Sequence, residues 1–170
     1  AIEDLHSDRI EENYELLAYH YIQSDEVEKA LDFVELANQK AHGLGAMEEA
    51  KASFHHALRL LGGIPESKET QQRRIALLVN QGMVFMLLLE IPQYYELLKD
   101  FEEQAVDLEN QSLLGAFYSR LGLCEFGLGY FDKAVTTLTV ASELSEKGGN
   151  SEDSGFALAW LEWSLLYKGE

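Results

Sequence analysis

Apolar residues recur along this chain at intervals of three and four positions, and short clusters of turn residues separate the periodic segments. This spacing predicts helices over about residues 9–23, 26–43, 46–61, 68–89, 92–108, 112–128, 131–147 and 152–168. No segment alternates apolar and polar residues between turns, as a half-buried strand would. We therefore predict an all-α fold of about eight helices, with neighbouring helices antiparallel because the linkers are short.

The segment from residue 118 to residue 141 predicts two helices that cross closely at a tight turn. Its small residues are Gly122, Ala134 and Ala141, and its bulky residues are Tyr118, Leu121, Phe131 and Leu138. Partial copies of this spacing begin at Asp25 and Gly45, and the 84 positions between Ala50 and Ala134 correspond to two periods of 42 residues. Repetition of one helix-turn-helix unit predicts a solenoid of stacked helix pairs.

This segment resembles the tetratricopeptide repeat through Tyr118, Leu121, Gly122, Gly129, Phe131, Ala134, Leu138 and Ala141. Residues 45–57 match the second half of the motif, whereas the pair of helices over 68–108 departs most from it. The resemblance implies a right-handed α-solenoid of antiparallel helix pairs that binds other proteins. Residues 14–50 are also similar to the region after the ATPase module of large bacterial signalling proteins, among them nucleotide-cyclase-linked ATPases and MalT/LuxR-type regulators. That resemblance implies a cytoplasmic module that senses or relays a signal.

The length of 170 residues and a hydrophobic content of 46% fit one folded domain over residues 1–170. The chain opens at Ala1 without a signal-like segment, so we expect it to be a piece of a longer cytoplasmic protein. The most apolar window, residues 75–89, is shorter than the roughly 20 residues of a membrane-spanning helix, so we expect no membrane partner. Cys124 is the single cysteine and lies on an apolar helix face, which predicts a buried structural thiol.

The net charge of −17 is spread over the whole chain and argues against a nucleic-acid partner, which requires a basic stripe. Two interpretations of this acidity stay open at this point. It keeps a long helical surface soluble, or it steers a basic segment of a partner toward the protein.

No pattern predicts an enzyme, a metal site or a cofactor. His55 and His56 are adjacent and point about 100° apart on a helix, so they do not chelate one ion together; we expect one exposed and one half-buried histidine. Acidic pairs are too frequent on these charged helices to mark a catalytic pair. Neither a phosphate-binding loop nor a nucleophile elbow occurs in the sequence.

The position of each residue in the repeat predicts a partner-binding surface on the concave side of the solenoid. Its residues are Glu35, Gln39, Val79, Met83, Met86, Ser119, Leu123 and Phe126. Residues 75–89 are apolar on nearly all sides, which predicts either a helix buried on all sides or, through its methionines, the floor of a groove for a partner helix or peptide.

We therefore expect a protein-interaction or intramolecular signal-relay module that binds a protein, a peptide or another domain of the same chain. One alternative is the small-ligand sensor domain of a MalT-like regulator. The other is a self-association module, in which Trp160 and Trp163 belong to an exposed apolar C-terminal surface that forms a homodimer.

Overall fold

The computed structural model describes residues 7–169, and every regular element within that range is a helix, which confirms the all-α prediction. A 3₁₀ segment over Ser7–Asn13 precedes the α-helices. These are α1 (Tyr14–Gln23), α2 (Val27–Gly43), α3 (Met47–Gly63), α4 (Lys68–Val79), α5 (Gly82–Leu87), α6 (Ile91–Asp100), α7 (Glu102–Val106), α8 (Gln111–Gly127), α9 (Phe131–Lys147) and α10 (Ser151–Lys168). The right-handed solenoid arrangement stays a prediction.

The predicted helix over 68–89 is wrong as a single element, because it is interrupted at Asn80 and Gln81 between α4 and α5. The Gln81 N–H donates to the Leu78 carbonyl over 3.1 Å, a tight bond to the third residue back. The hydroxyl group of Tyr94 on α6 donates to the same carbonyl over 2.8 Å. A side chain from another helix thus satisfies the backbone where α4 ends.

The predicted helix over 92–108 is likewise two elements, α6 and α7, which meet at Phe101. The Phe101 N–H donates to the Leu98 carbonyl three residues back, over 3.2 Å. An ion pair between Lys99 and Glu102 spans the junction. The remaining predicted helices agree with the structure to within two residues at their ends, except that the first begins as a 3₁₀ segment.

The chain divides into two compact units, with the boundary between Glu66 and Ser67. The boundary follows Gly62, Gly63 and Pro65, because two glycines followed by a proline do not continue a helix. The prediction of a single domain over residues 1–170 stays a prediction.

In the first unit, α2 packs against both α1 and α3. Its core holds Leu17, Leu31, Phe54 and Leu61, each at most 1% exposed. Asn38 is buried between α2 and α3, where its side-chain amide donates to the Ala50 carbonyl over 2.6 Å. A buried amide needs such a partner because an unsatisfied donor would cost free energy.

In the second unit, α8 is the central helix and packs against α4, α6, α7, α9 and α10. Two of its glycines permit close approach of α9. A Cβ atom at Gly122 would lie 2.6 Å from Leu138 Cγ, and one at Gly115 would lie 2.6 Å from the backbone nitrogen of Ser145. This contact confirms the close helix crossing that the spacing of residues 118–141 predicts.

The helix buried on all sides is α8, and the corresponding prediction for residues 75–89 is wrong. The second half of that segment forms α5, whose Met83 and Leu87 are 53% and 58% exposed. Leu89, just after α5, is 84% exposed. These apolar side chains lie at the surface of the second unit because α5 is short and only part of its circumference faces α6 and the core.

One turn conformation recurs between consecutive helices. It has a residue with positive φ at Asp25, Gly45, Leu89, Gly129 and Gly149. At each turn the next N–H donates to the carbonyl five residues back, over 2.8–3.0 Å, which is the Schellman geometry of a helix end. The 84 positions between the turns at residues 45 and 129 therefore contain a further equivalent turn at residue 89. The sequence predicts a helix break at residues 90–91, but it did not reveal that this turn is equivalent to the glycine turns, because leucine rarely adopts a positive φ.

Candidate functional site

The second unit contains an apolar pocket of about 190 Å³ between α5, α6, α8 and α10. Its lining residues are Met86, Ile91, Tyr94, Leu123, Cys124, Phe126, Gly127 and Trp160. We call this cavity the apolar pocket. Its deepest residues are buried, since Tyr94, Leu123 and Cys124 are at most 6% exposed. Its rim is accessible, because Gly127 is exposed and the remaining lining residues are half-buried.

Aromatic contacts hold two walls of the pocket in place. The Phe126 and Trp160 rings, on α8 and α10, lie 5.2 Å apart between centroids. The Tyr94 ring, on α6, stacks on Phe85 at 4.9 Å between centroids, and its hydroxyl donates to the Leu78 carbonyl. The walls are therefore set by the packing of separate helices.

The pocket wall offers no charged side chain, and its hydrogen-bonding side chains are limited to Tyr94, Trp160 and the weakly bonding Cys124. The one hydroxyl group, on Tyr94, already donates to a backbone carbonyl, and burial raises its pKa. Burial also raises the pKa of the Cys124 thiol to about 12, so that the thiol stays neutral near pH 7. Its 3% exposure confirms the prediction of a buried cysteine. This surface is suited to an apolar group and poorly suited to an ion.

The structure brings three of the eight predicted partner-binding residues together in the pocket wall, namely Met86, Leu123 and Phe126. They come from α5 and α8, which carry equivalent positions in successive helix pairs. Sequence reasoning missed Ile91 and Tyr94, because the repeat resemblance implies binding by the first helix of each pair and α6 belongs to a predicted second helix. It considered Trp160 only as part of a C-terminal surface.

Two predicted binding residues need correction. Val79 is 6% exposed at the end of α4, and Ser119 is fully buried on the central helix α8. Both are enclosed by neighbouring helices, so a partner that binds this structure does not reach them. Met83, at 53% exposed, lies at the surface as predicted for a contact residue.

The two remaining predicted residues, Glu35 and Gln39, belong to α2 in the first unit. Glu35 is half-buried and Gln39 is exposed. Their assignment to a binding surface stays a prediction.

A polar cluster around Arg120 was not predicted. The Arg120 Nη2 atom lies 3.4 Å from Asp153 Oδ1, and the guanidinium group lies 4.8 Å from the centroid of the Phe156 ring. A Cβ atom at Gly82 would approach Arg120 Cδ to 2.9 Å, so the glycine leaves room for this side chain. Arg120 Nη1 and the nearby Ser119 Oγ are buried and have no hydrogen-bond partner among the described residues.

A buried carboxyl group, Glu125, lies on α8 between the lining residues Cys124 and Phe126 but does not itself line the pocket. Burial raises its pKa above the ordinary value, against the opposing effects of a hydrogen bond from Thr137 and of Lys133 and Lys99. Glu102 adds to the upward shift. One carboxylate oxygen of Glu125, Oε2, has no hydrogen-bond partner in the part of the chain that the structure describes.

The adjacent histidines on α3 are both half-buried, where one exposed side chain was expected. His55 lies against the Phe54 ring at 5.0 Å, and burial together with Arg59 lowers the pKa of His56. Over residues 7–169 no group of three or more histidine, cysteine, aspartate or glutamate side chains is arranged to hold a metal ion. Within the same range no helix combines the length and apolarity needed to cross a membrane.

The last described helix, α10, exposes several large apolar side chains: Leu158, Trp163, Leu166 and Tyr167, each 47–63% exposed. Trp160 differs from them because it is half-buried against Phe126 and Phe156. The two tryptophans that the sequence grouped together therefore have different environments.

Comparison of the chain with protein-family models, with curated proteins and with solved structures finds no match.

Proposed function

We propose that this chain is a protein-recognition module that binds a segment of another protein, or of another domain of a larger protein, through its second unit. The observation that supports the proposal is the apolar pocket, whose lining residue Met86 belongs to α5, the helix that also exposes Met83 and Leu87. An accessible pocket beside exposed apolar side chains is a typical anchor site for a partner side chain.

The charge of the second unit favours a basic partner. Residues 67–170 contain 16 acidic and eight basic side chains. A partner segment with lysine or arginine around an apolar anchor would be attracted to this surface, and its association would slow as salt is added. The anchor supplies affinity and the charges supply orientation.

We further propose that binding serves signal relay within a bacterial cytoplasmic signalling protein. This role rests on the resemblance to tetratricopeptide repeats and to the region after the ATPase module of large regulators. Repeat modules of this kind transmit a signal by contact with a neighbouring domain. No reaction is assigned to the chain.

A selection of random twelve-residue peptides on the intact protein tests partner binding. We expect the recovered peptides to share a large apolar residue flanked by basic residues. Their affinity, measured by fluorescence anisotropy, should fall at least about tenfold in Met83→Glu, because the added carboxylate lies in the exposed apolar surface of α5. Val140→Glu is the matched control, since it places the same charge at a 41% exposed apolar position on α9.

Two outcomes would count against partner binding through this surface. Either no peptide is enriched above an unrelated acidic helical protein, or the recovered peptides bind the Met83 and Val140 variants equally well. Circular dichroism of both variants verifies that their helix content equals that of the unmodified protein.

A second candidate function is self-association through α10, which its exposed Trp163, Leu166 and Tyr167 favour. Sedimentation equilibrium of the protein and of Trp163→Glu tests it. Self-association through this helix predicts a dimer that the substitution converts to a monomer. A protein that is monomeric over the whole concentration range excludes this function.

A further inference from the structure

We infer that the apolar pocket is a specificity site for a single uncharged phenyl group, such as the side chain of a phenylalanine in the partner segment. This inference rests on the proposed function and adds the chemical class of the anchor. It follows from the volume of the pocket, from the chemistry of its wall and from the accessibility of its rim.

The volume fits one ring. The pocket measures about 190 Å³, and an engineered protein cavity of about 150 Å³ holds a benzene molecule. A phenyl ring with its methylene group therefore fits, whereas a second ring does not. The site accommodates one side chain and not a stretch of peptide.

The wall favours an aromatic occupant. Three aromatic side chains, Tyr94, Phe126 and Trp160, come from three different helices. Rings placed around a cavity in this way offer edge-to-face and offset contacts to an incoming ring. The neighbouring Met86 and Cys124 add polarisable sulfur atoms, which pack favourably against aromatic rings.

The same wall rejects charge. No lysine, arginine, aspartate or glutamate lines the pocket, and the Tyr94 hydroxyl is committed to the Leu78 carbonyl. The Cys124 thiol is neutral because burial raises its pKa to about 12. An ammonium or carboxylate group inside the pocket would lose its hydration without a replacement partner.

A ligand reaches this site through the rim at Gly127. This glycine is the last residue of α8 and is exposed, and a Cβ atom added to it would meet only the Ile91 side chain, at 3.2 Å. A larger side chain at residue 127 would therefore enter the mouth of the pocket without a clash with backbone. We therefore expect Gly127→Leu to block the entrance of the pocket without a change in the backbone.

The experiment uses three fluorinated probes with the same ring and different charges: 4-fluorobenzyl alcohol, 4-fluorobenzylammonium and 4-fluorobenzoate. Titration of each probe into the intact protein is followed by ¹⁹F NMR chemical shift and line width. We expect saturable binding of the neutral alcohol and at least about tenfold weaker binding of both ions. The Gly127→Leu variant should also bind the alcohol at least about tenfold more weakly than the unmodified protein.

Gly155→Leu is the matched control, because it makes the same substitution on α10 of the same unit at an exposed site with no atom within 4 Å of the added Cβ. It should bind the alcohol like the unmodified protein. If Gly127→Leu does not fold, Cys124→Leu fills the pocket from its floor and should give the same loss. Thermal denaturation of each variant establishes folding.

Equal binding of the three probes, no binding of any probe, or unchanged binding in both pocket-filling variants would each overturn the inference. The outcome is separable from that of the proposed function. Peptides that bind through Met83 but are not displaced by 4-fluorobenzyl alcohol would leave the proposed function intact and exclude the phenyl site. Binding of the alcohol without recovery of any peptide would support the pocket and refute partner recognition.

Discussion

Glu125 is a single acidic residue whose burial in the second unit disfavours its ionised form. Its carboxyl group is 4% exposed on α8, and burial raises its pKa. A carboxyl whose pKa is higher in the folded than in the unfolded protein favours folding while protonated. That contribution is present below the unfolded pKa and is lost as pH rises through the folded pKa.

We expect Glu125→Gln to be more stable than the unmodified protein at pH 7, by an amount that shrinks toward zero below pH 4.5. The amide retains an acceptor for Thr137 and removes the buried negative charge. Urea denaturation at a series of pH values measures the difference in the free energy of unfolding. The variant Glu143→Gln, at an exposed position on α9, is the control for a general loss of negative charge.

A difference between Glu125→Gln and the unmodified protein that does not change with pH would contradict this assignment. So would a variant that is less stable at pH 7. A difference independent of pH would mean that folding leaves the pKa of Glu125 unchanged, whereas a less stable variant at pH 7 would mean that Lys99 and Lys133 hold the carboxylate as a favourable ion.

Leu89 is a second informative residue, because it occupies a turn position that glycine occupies at residues 45, 129 and 149. Its φ of 59° lies in the left-handed region, which costs a non-glycine residue about 1–2 kcal/mol. Its side chain is 84% exposed and therefore contributes little packing. The strain at this turn is not offset by burial.

We expect Leu89→Gly to raise the free energy of unfolding by about 0.5–1 kcal/mol, the relief of strain less the greater entropy of glycine in the unfolded chain. Leu158→Gly is the control, since the same change at a 47% exposed position inside α10 should destabilise by about 1 kcal/mol. Thermal denaturation of both variants measures whether each substitution stabilises or destabilises the protein. Destabilisation by Leu89→Gly would show that this turn is not equivalent to the glycine turns.

At the scale of elements, the pair α8 and α9 was predictable and the pair α4 and α5 was not. The spacing of small and bulky residues over 118–141 specified the contact at Gly122, because the contact is local to two consecutive helices. The break after Val79 depends on Tyr94, which lies on another helix and donates to the Leu78 carbonyl. A continuous apolar pattern does not reveal such a distant hydrogen bond.

The residues of the candidate site were likewise predictable only in part. Repeat position identified Met86, Leu123 and Phe126, because these residues recur at equivalent places on α5 and α8. It also selected Val79 and Ser119, which are buried, since position in a motif does not report how closely a neighbouring helix packs. The residues from α6 and α10 that complete the pocket depend on that packing.

We expect Gly122→Ala to destabilise the second unit by about 1–3 kcal/mol, because the added Cβ would lie 2.6 Å from Leu138 Cγ and force α8 and α9 apart. Gly155→Ala, in open space on α10, should instead stabilise by up to about 1 kcal/mol through helix propensity. Urea denaturation measures both changes. Equal effects of the two substitutions would argue against close packing of α8 on α9.

At the scale of the whole molecule, the chain combines an acidic surface with an uncharged pocket. We expect the net charge of −17 to attract the proposed basic partner segment over several ångströms. The pocket acts only at contact distance and selects for shape and neutrality. The proposed partner must satisfy both conditions, which makes recognition more specific than either surface alone.

A ligand that carries a bromine atom shows most directly whether the apolar pocket binds a phenyl group. Crystals of the protein are soaked with 4-bromobenzyl alcohol, and anomalous diffraction at the bromine absorption edge identifies the position of the ligand. We expect a bromine peak inside the apolar pocket, with the ring within about 4 Å of Phe126, Trp160 or Cys124. A bromine peak at another site, with the pocket empty, would contradict it.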